Sequence, residues 1–179
     1  MNLFNMNNDN TIMNIDGKDI EMKPAICYGK VIDKWLVSKC GKVWSTGRGQ
    51  NKLLFGKKCY NYNKKTKRLN SIQLKLKTPI GFWEDGSGGH HESYGNWVGR
   101  EIAFHKVIID TWAPLYDNPP EPVLWETWEN IRDYEDNFKF YSQSVVIDHI
   151  DDDPTNNSLD NLRRVTSWDN QCTRKAKGI

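Results

Sequence analysis

The chain has 179 residues, enough for one compact domain with an extended arm, and its eight tryptophans can supply a core. The formal net charge of +2 excludes a uniformly basic or acidic protein, but it hides an uneven distribution. No run approaches the ~20 apolar residues of a membrane-crossing helix, and Cys27, Cys40, Cys59 and Cys172 include no close C-x-x-C pair of the kind that marks structural zinc.

Residues 1–24 are rich in asparagine and poor in apolar periodicity, and they read as a flexible arm ending in a short strand. They lack the basic start, apolar run and cleavage site of a secretory signal, so a cytoplasmic protein with scattered, reduced thiols is expected. Residues 25–143 read as a β-rich region. Within it Lys34-Trp-Leu-Val-Ser-Lys-Cys-Gly-Lys-Val-Trp-Ser45 alternates apolar and polar positions around the turn Lys39-Cys-Gly41, a hairpin signature. Lys67 to Lys77 alternates again through Leu69, Ile72, Leu74 and Leu76, and ends at Pro79.

Between Lys30 and Lys77 the only acidic residue is Asp33, while lysine and arginine recur throughout. Such a field attracts a polyanion through charge neutralisation and counterion release. Lys57, Lys58, Lys64, Lys65, Lys67 and Arg68 are interleaved with Tyr60, Tyr62 and several asparagines. That mixture offers phosphate contacts beside groups able to touch bases, and two strands presented as a ribbon fit a major groove. Taken alone, a lysine run is a solvated surface.

Glu84 to Glu92 is a glycine-rich loop, in which His90, His91 and Glu92 lack the helical or strand spacing of metal ligands. Ile102, Ala103, Val107, Ile108 and Trp112 predict a helix over 100–112, stopped by Pro114, with His105 packed among its apolar residues. A proline-rich connection follows. Trp125 to Phe140 is acidic and aromatic, and its pattern fits helix and irregular chain equally.

Residues 144–179 carry the clearest pattern. Ser144-Val-Val-Ile-Asp-His149 is a β-branched strand, Asp151-Asp-Asp-Pro-Thr-Asn-Asn157 a loop of turn-forming residues, and Leu162-Arg-Arg-Val165 a second strand. Thr166 followed by Asp169 is a helix start of capping-box type. The order is strand, loop, strand, helix: a ββα unit. Asp148 and His149 end the first strand, and Asn170 lies one turn into the helix.

If the helix packs back across the hairpin, Asp148 and Asn170 converge. A carboxylate and an amide oxygen form a hard, incomplete ligand set, which water and a phosphate oxygen complete around Mg²⁺, with Mn²⁺ able to substitute. Neighbours in a regular strand point to opposite faces, so the chain must twist or end at Asp148-His149 for both to serve one site. His149, neutral near pH 7, can take a proton from water, while the cation offsets charge on the phosphorus centre. The triplet Asp151 to Asp153 reads as a solvated turn.

Asp148-His-Ile-Asp151, Asn156-Asn-Ser-Leu-Asp-Asn-Leu-Arg-Arg-Val-Thr166 and Asn170 together resemble the HNH, or His-Me finger, endonucleases of the homing type often carried by phages. Upstream, Trp35 to Ser45 is similar to a segment that often precedes such nuclease units, and Phe104-His-Lys-Val-Ile-Ile-Asp-Thr-Trp112 to a helix found in them. Residues 121–140 have no family counterpart. The resemblance implies Asp148 and Asn170 as metal ligands, His149 as general base and Asn161 as the brace of the loop that positions it. It also implies products with 5′-phosphate and 3′-hydroxyl ends.

The combined expectation is an α+β metal-dependent DNA endonuclease. Amino-terminal hairpins and a helix would hold double-stranded DNA, with Arg163 and Arg164 adding contacts, and the carboxy-terminal ββα-metal unit would cut it. A homing role comes first. The rivals are a type II restriction endonuclease with the same site, a non-cleaving DNA-binding regulator, and a zinc-stabilised module. One active site cuts one strand per encounter, so double-strand cleavage would need a homodimer or two nicks.

Overall fold

The computed structural model describes residues 10–47, 51–62, 67–79, 82, 91–94 and 97–176. Among these described residues the fold is α+β, with two larger antiparallel sheets, a small hairpin and four helices. The first sheet runs in sequence order through β1 (Thr11–Ile15), β2 (Lys18–Cys27), β3 (Lys30–Ser38), β4 (Val43–Ser45) and β5 (Lys52–Leu54). Residues 10–24 were expected within an arm. From Thr11 onward they pair instead, closed by Asp16-Gly17, both with positive φ, and residues 1–9 lie outside the described ones. Short apolar positions suffice here because β2 buries Met22, Ala25 and Cys27 completely. Burial pushes the Cys27 thiol up to about 12, so it is inert as a nucleophile or ligand.

The second sheet has the order β6 (Lys57–Tyr62), β7 (Lys67–Pro79), β9 (Trp97–Ala103), β8 (His91–Tyr94). The helix expected from residue 100 starts later. Residues 97–103 are a strand paired to β7, and α1 spans Phe104–Trp112. Arg100 and Ile102 are buried and Glu101 is exposed, the two-residue period of a half-covered strand. His90 lies outside the described residues, whereas His91 and Glu92 fall in β8.

The core forms where α1 lies against both sheets. Phe104, Val107, Ile108 and Ile109 pack with Trp35, Val37, Val43, Leu74, Leu76 and Leu162. Thr111 adds a polar tie, its hydroxyl accepting from the Ile26 amide at 2.8 Å.

The acidic stretch forms α2 (Trp125–Arg132) and α3 (Glu135–Ser144), packed through Trp128, Phe138 and Tyr141 with ring centroids 5.8–5.9 Å apart. The Trp128 indole is fully buried and donates to the Tyr116 carbonyl at 3.0 Å, which anchors the pair to the proline-rich connection. The chain passes directly from α3 into β10 (Val145–His149), which pairs with β11 (Leu162–Thr166) and is followed by α4 (Ser167–Ala176). The Thr166 hydroxyl accepts from the Asp169 amide at 3.1 Å and donates to its carboxylate, the capping arrangement expected at this helix start.

Candidate active site

Strand β10 ends at His149, and both Asp148 and His149 are paired in the ladder, opposite Arg163 and Leu162. Asp148, His149 and Asn170 line one cavity of about 400 Å³, together with Leu69, Asn70, His105, Val146, Ile147, Asp152 and Pro154. All three residues singled out for chemistry therefore share one space. Leu69 and Asn70 bring the lysine-rich strand β7 to the same wall.

Asp148 lies opposite Arg163 in the β10–β11 register. The Arg163 guanidinium donates twice to the carboxylate, from Nε at 3.1 Å and Nη2 at 2.9 Å. Both bonds fall on Oδ2, and Nη1 reaches Glu121 at 3.2 Å. The hydrogen bonds to Asp148 hold this guanidinium above its usual range. Asn170 supplies the second oxygen. Its Oδ1 is buried and has no hydrogen-bond partner among the described residues, a state that costs about 1–3 kcal/mol unless something else satisfies the atom.

His149 is buried and has two close neighbours. Its Nε2 lies 3.1 Å from Asn157 Oδ1, and the ring meets His105 edge to face at 5.2 Å. Burial, and then the adjacent His149, lowers the His105 pKa to about 4, so His105 is neutral at pH 7. Its Nδ1 is buried, with no partner among the described residues.

Asn161 closes the loop at its base. Its amide donates to Asp151 Oδ1 and to the Asn156 carbonyl, each at 2.8 Å, and its Oδ1 accepts from the Asp151 amide at 3.1 Å. Its own carbonyl accepts from Ile150 at 2.9 Å. Asp151 and Asp153 are occupied by turn hydrogen bonds, and those from Asn156 and the Asp153 amide hold the Asp151 carboxyl below its usual range.

The residues expected to touch DNA are scattered in placement. Lys57 and Lys58 are exposed on β6, with Lys57 3.5 Å from Glu101. Lys67 and Arg68 belong to β7, whereas Lys64 and Lys65 lie outside the described residues. Arg164 is buried between β11 and α1, bonded to Asp110 at 2.9 Å and to the Ala113 carbonyl, and its side chain serves the fold. Arg163 is half-buried on Asp148 and Glu121. Reading the sequence missed Asn157, His105 and the start of β7 as parts of the site. Only the Asn156-Asn157 doublet carried a signal, and turn chemistry explains asparagines there equally well.

The hairpin and the helix after it thus gather a carboxylate, an imidazole and an amide oxygen on one cavity. Residues 141–172 match the family model described as HNH endonuclease. A solved structure of DNA binding and cleavage by the HNH homing endonuclease I-HmuI is similar at 17% identity and a TM-score of 0.40, covering 80% of this chain and 53% of that one. The chain spans about half the length of that protein. No curated protein matches the chain. Among the described residues, no helix is long and apolar enough to cross a membrane.

Proposed function

We propose that this chain is a divalent-metal-dependent endonuclease acting on double-stranded DNA, with His149 as general base and Asp148 and Asn170 as the protein ligands of the ion. The observation that carries this reading is the Asn170 amide oxygen, buried without a partner among the described residues in a cavity it shares with Asp148 and His149. A hard cation would satisfy that oxygen, and Asp148 has Oδ1 to offer because both Arg163 bonds fall on Oδ2.

Among the described residues, no three His, Cys, Asp or Glu side chains gather as a cage. Two protein oxygens, with water and a phosphate oxygen, are the ligand set that suits Mg²⁺, or Mn²⁺ in its place. When bound, the ion would offset the negative charge that builds on the scissile phosphate.

His149 takes a proton from water as the water oxygen bonds to phosphorus, and the bond from phosphorus to the 3′ oxygen breaks. The leaving alkoxide then collects a proton from solvent, giving 5′-phosphate and 3′-hydroxyl ends. Asn161 holds the loop that follows His149. Lys57 and Lys58, with β7 running from the basic stretch to the cavity wall, give the duplex a route to the site. Similarity in sequence to homing-type HNH enzymes makes a site-directed homing role part of the proposal.

The test is cleavage of supercoiled plasmid with Mg²⁺ by the natural chain and by His149→Ala. The natural chain should nick the plasmid. The variant should lose about 10²- to 10⁴-fold in rate, the usual contribution of a general base, while still binding DNA. If both proteins bind but neither cuts any of a broad set of DNAs, the chain is a binding module.

A further inference from the structure

We infer that Asn157 sets the tautomer of His149, and that the turn between β3 and β4 holds Asn157 where it can do so. His149 as general base, the reading given above, is the premise. A neutral imidazole has one protonated and one unprotonated nitrogen, and only the unprotonated one can accept a proton from water. Which nitrogen is which depends on the partner of the other.

Here the partner is defined by its own surroundings. The Asn157 amide nitrogen donates to the Thr155 carbonyl at 3.2 Å, which turns its oxygen toward His149 Nε2, 3.1 Å away. A carbonyl oxygen can only accept, so Nε2 must carry the hydrogen and Nδ1 is left with its lone pair. Both side chains are buried, at 9% and 6% exposure, so water does not compete freely for this contact. Asn157 is therefore a positioning residue. It acts through His149 rather than on the phosphate.

Asn157 is held from outside the ββα unit. The Lys39 carbonyl accepts from the Leu159 amide at 2.8 Å, so the hairpin turn and the loop share a backbone hydrogen bond. Gly41 sits directly against the loop. A Cβ built there would lie 2.6 Å from the carbonyl carbon and oxygen of Asn157 and 2.8 Å from the Ser158 nitrogen. Its φ of +80° also disfavours any side chain. The glycine of the hairpin is thus required twice, once for its own backbone and once for room beneath the loop. The consequence is that the amino-terminal sheet is a structural part of the catalytic centre, joined to His149 through a single asparagine.

The experiment is nitrogen-detected NMR of the His149 ring in the full chain without DNA, at a pH where the imidazole is neutral, assigned by its loss in His149→Gln. Single-turnover cleavage of pre-bound DNA is measured in parallel. The natural chain should show a protonated Nε2 and an unprotonated Nδ1. Asn157→Ala should mix the two tautomers and slow cleavage about ten- to 100-fold, the scale of a misplaced catalytic group, with DNA affinity unchanged. Asn157→Asp, which keeps an acceptor oxygen, should restore the single tautomer and most of the rate. Gly41→Ala should disturb the ring signals as Asn157→Ala does, although it replaces nothing in the cavity.

A native Nδ1–H tautomer, or an Asn157→Ala protein with unchanged ring signals and rate, overturns the assignment of Asn157. Unchanged ring signals in a folded Gly41→Ala protein overturn the role of the turn. If the ring behaves as described while the natural chain cuts no DNA, the nuclease reading fails and the assignment of Asn157 stands.

Discussion

Asp148 and Arg163 face each other across the β10–β11 ladder, and this pairing decides how the carboxylate behaves before any ion arrives. The side chains are 15% and 28% exposed, between a surface pair worth at most about 1 kcal/mol and a buried one whose breaking costs about 3–5 kcal/mol. Truncating Arg163 removes two charge-assisted bonds and leaves Asp148 half-buried and unpaired. Arg163→Met should therefore destabilise the chain by about 2 kcal/mol in chelator, a fall of roughly 4–8 °C in Tm for a protein of this size. A cation at Asp148 can compensate for the missing positive charge. Mg²⁺ should then raise Tm more in the variant than in the natural chain, by linkage of binding to folding. Equal Mg²⁺ shifts in the two proteins would show that the arginine and the ion do not share the carboxylate. At this scale the sequence was only partly legible. Asp148, His149 and Asn170 stood out because their residue types, at the end of a strand and one turn into a helix, are those that the proposed chemistry needs. Arg163 read as a DNA contact, because nothing local says that the register sets it opposite Asp148. Asn157 was hidden among asparagines and aspartates that a turn would contain anyway.

Helix α1 links the amino-terminal sheets to the β10–β11 hairpin, packing against both sheets and tied to β11 by Arg164–Asp110. It also carries His105 into the site, against His149. Burial keeps His105 neutral in the folded chain down to about pH 4, whereas the unfolded chain protonates it near its ordinary value of 6.5. The unfolded state therefore binds more protons between these values. Stability is fully present above about pH 6.5, is lost as pH falls toward 4, and has no further contribution from this residue below that. The full loss is about 3 kcal/mol. His105→Gln should flatten the fall in unfolding free energy between pH 6.5 and 4, measured by urea titration at each pH. A slope that persists unchanged would mean that His105 is accessible to protons in the folded chain. The start of α1 illustrates why some boundaries could not be read. Ile102 and Ala103 satisfy a helical period as well as an alternating one, and what makes them strand is pairing to β7, which lies far back in the chain. In the ββα unit, by contrast, strand, turn and cap signals are all local. Trp125 to Phe140 was ambiguous because its helices depend on Trp128 being buried beside Tyr116 and Phe138, a tertiary fact.

Over the whole molecule, charge is divided along the chain, with acidic residues concentrated between Asp110 and Asp153 and lysines between Lys30 and Lys77. On the proposed reading the fold turns this linear division into a path, because Leu69 and Asn70 of β7 stand on the wall of the cavity that Asp148, His149 and Asn170 line. A duplex following that path would meet Lys57 and Lys58 on β6, the partner strand of β7. Every amine that no longer neutralises a phosphate of B-DNA reduces the slope of log affinity against log salt by about 0.9. Lys57 complicates the count because Glu101 lies 3.5 Å from its amine, although the pair is exposed and weak. For the double variant Lys57→Ala/Lys58→Ala, a slope smaller by about 2 means that both amines reach phosphates and that DNA outcompetes Glu101. A change of about 1 means that only one of the two, which as strand neighbours point to opposite faces, reaches a phosphate. In either case the cleavage rate of pre-bound DNA should be unchanged, since neither side chain lines the cavity. An unaltered slope would move the duplex off β6 and leave the cavity to be approached from another side.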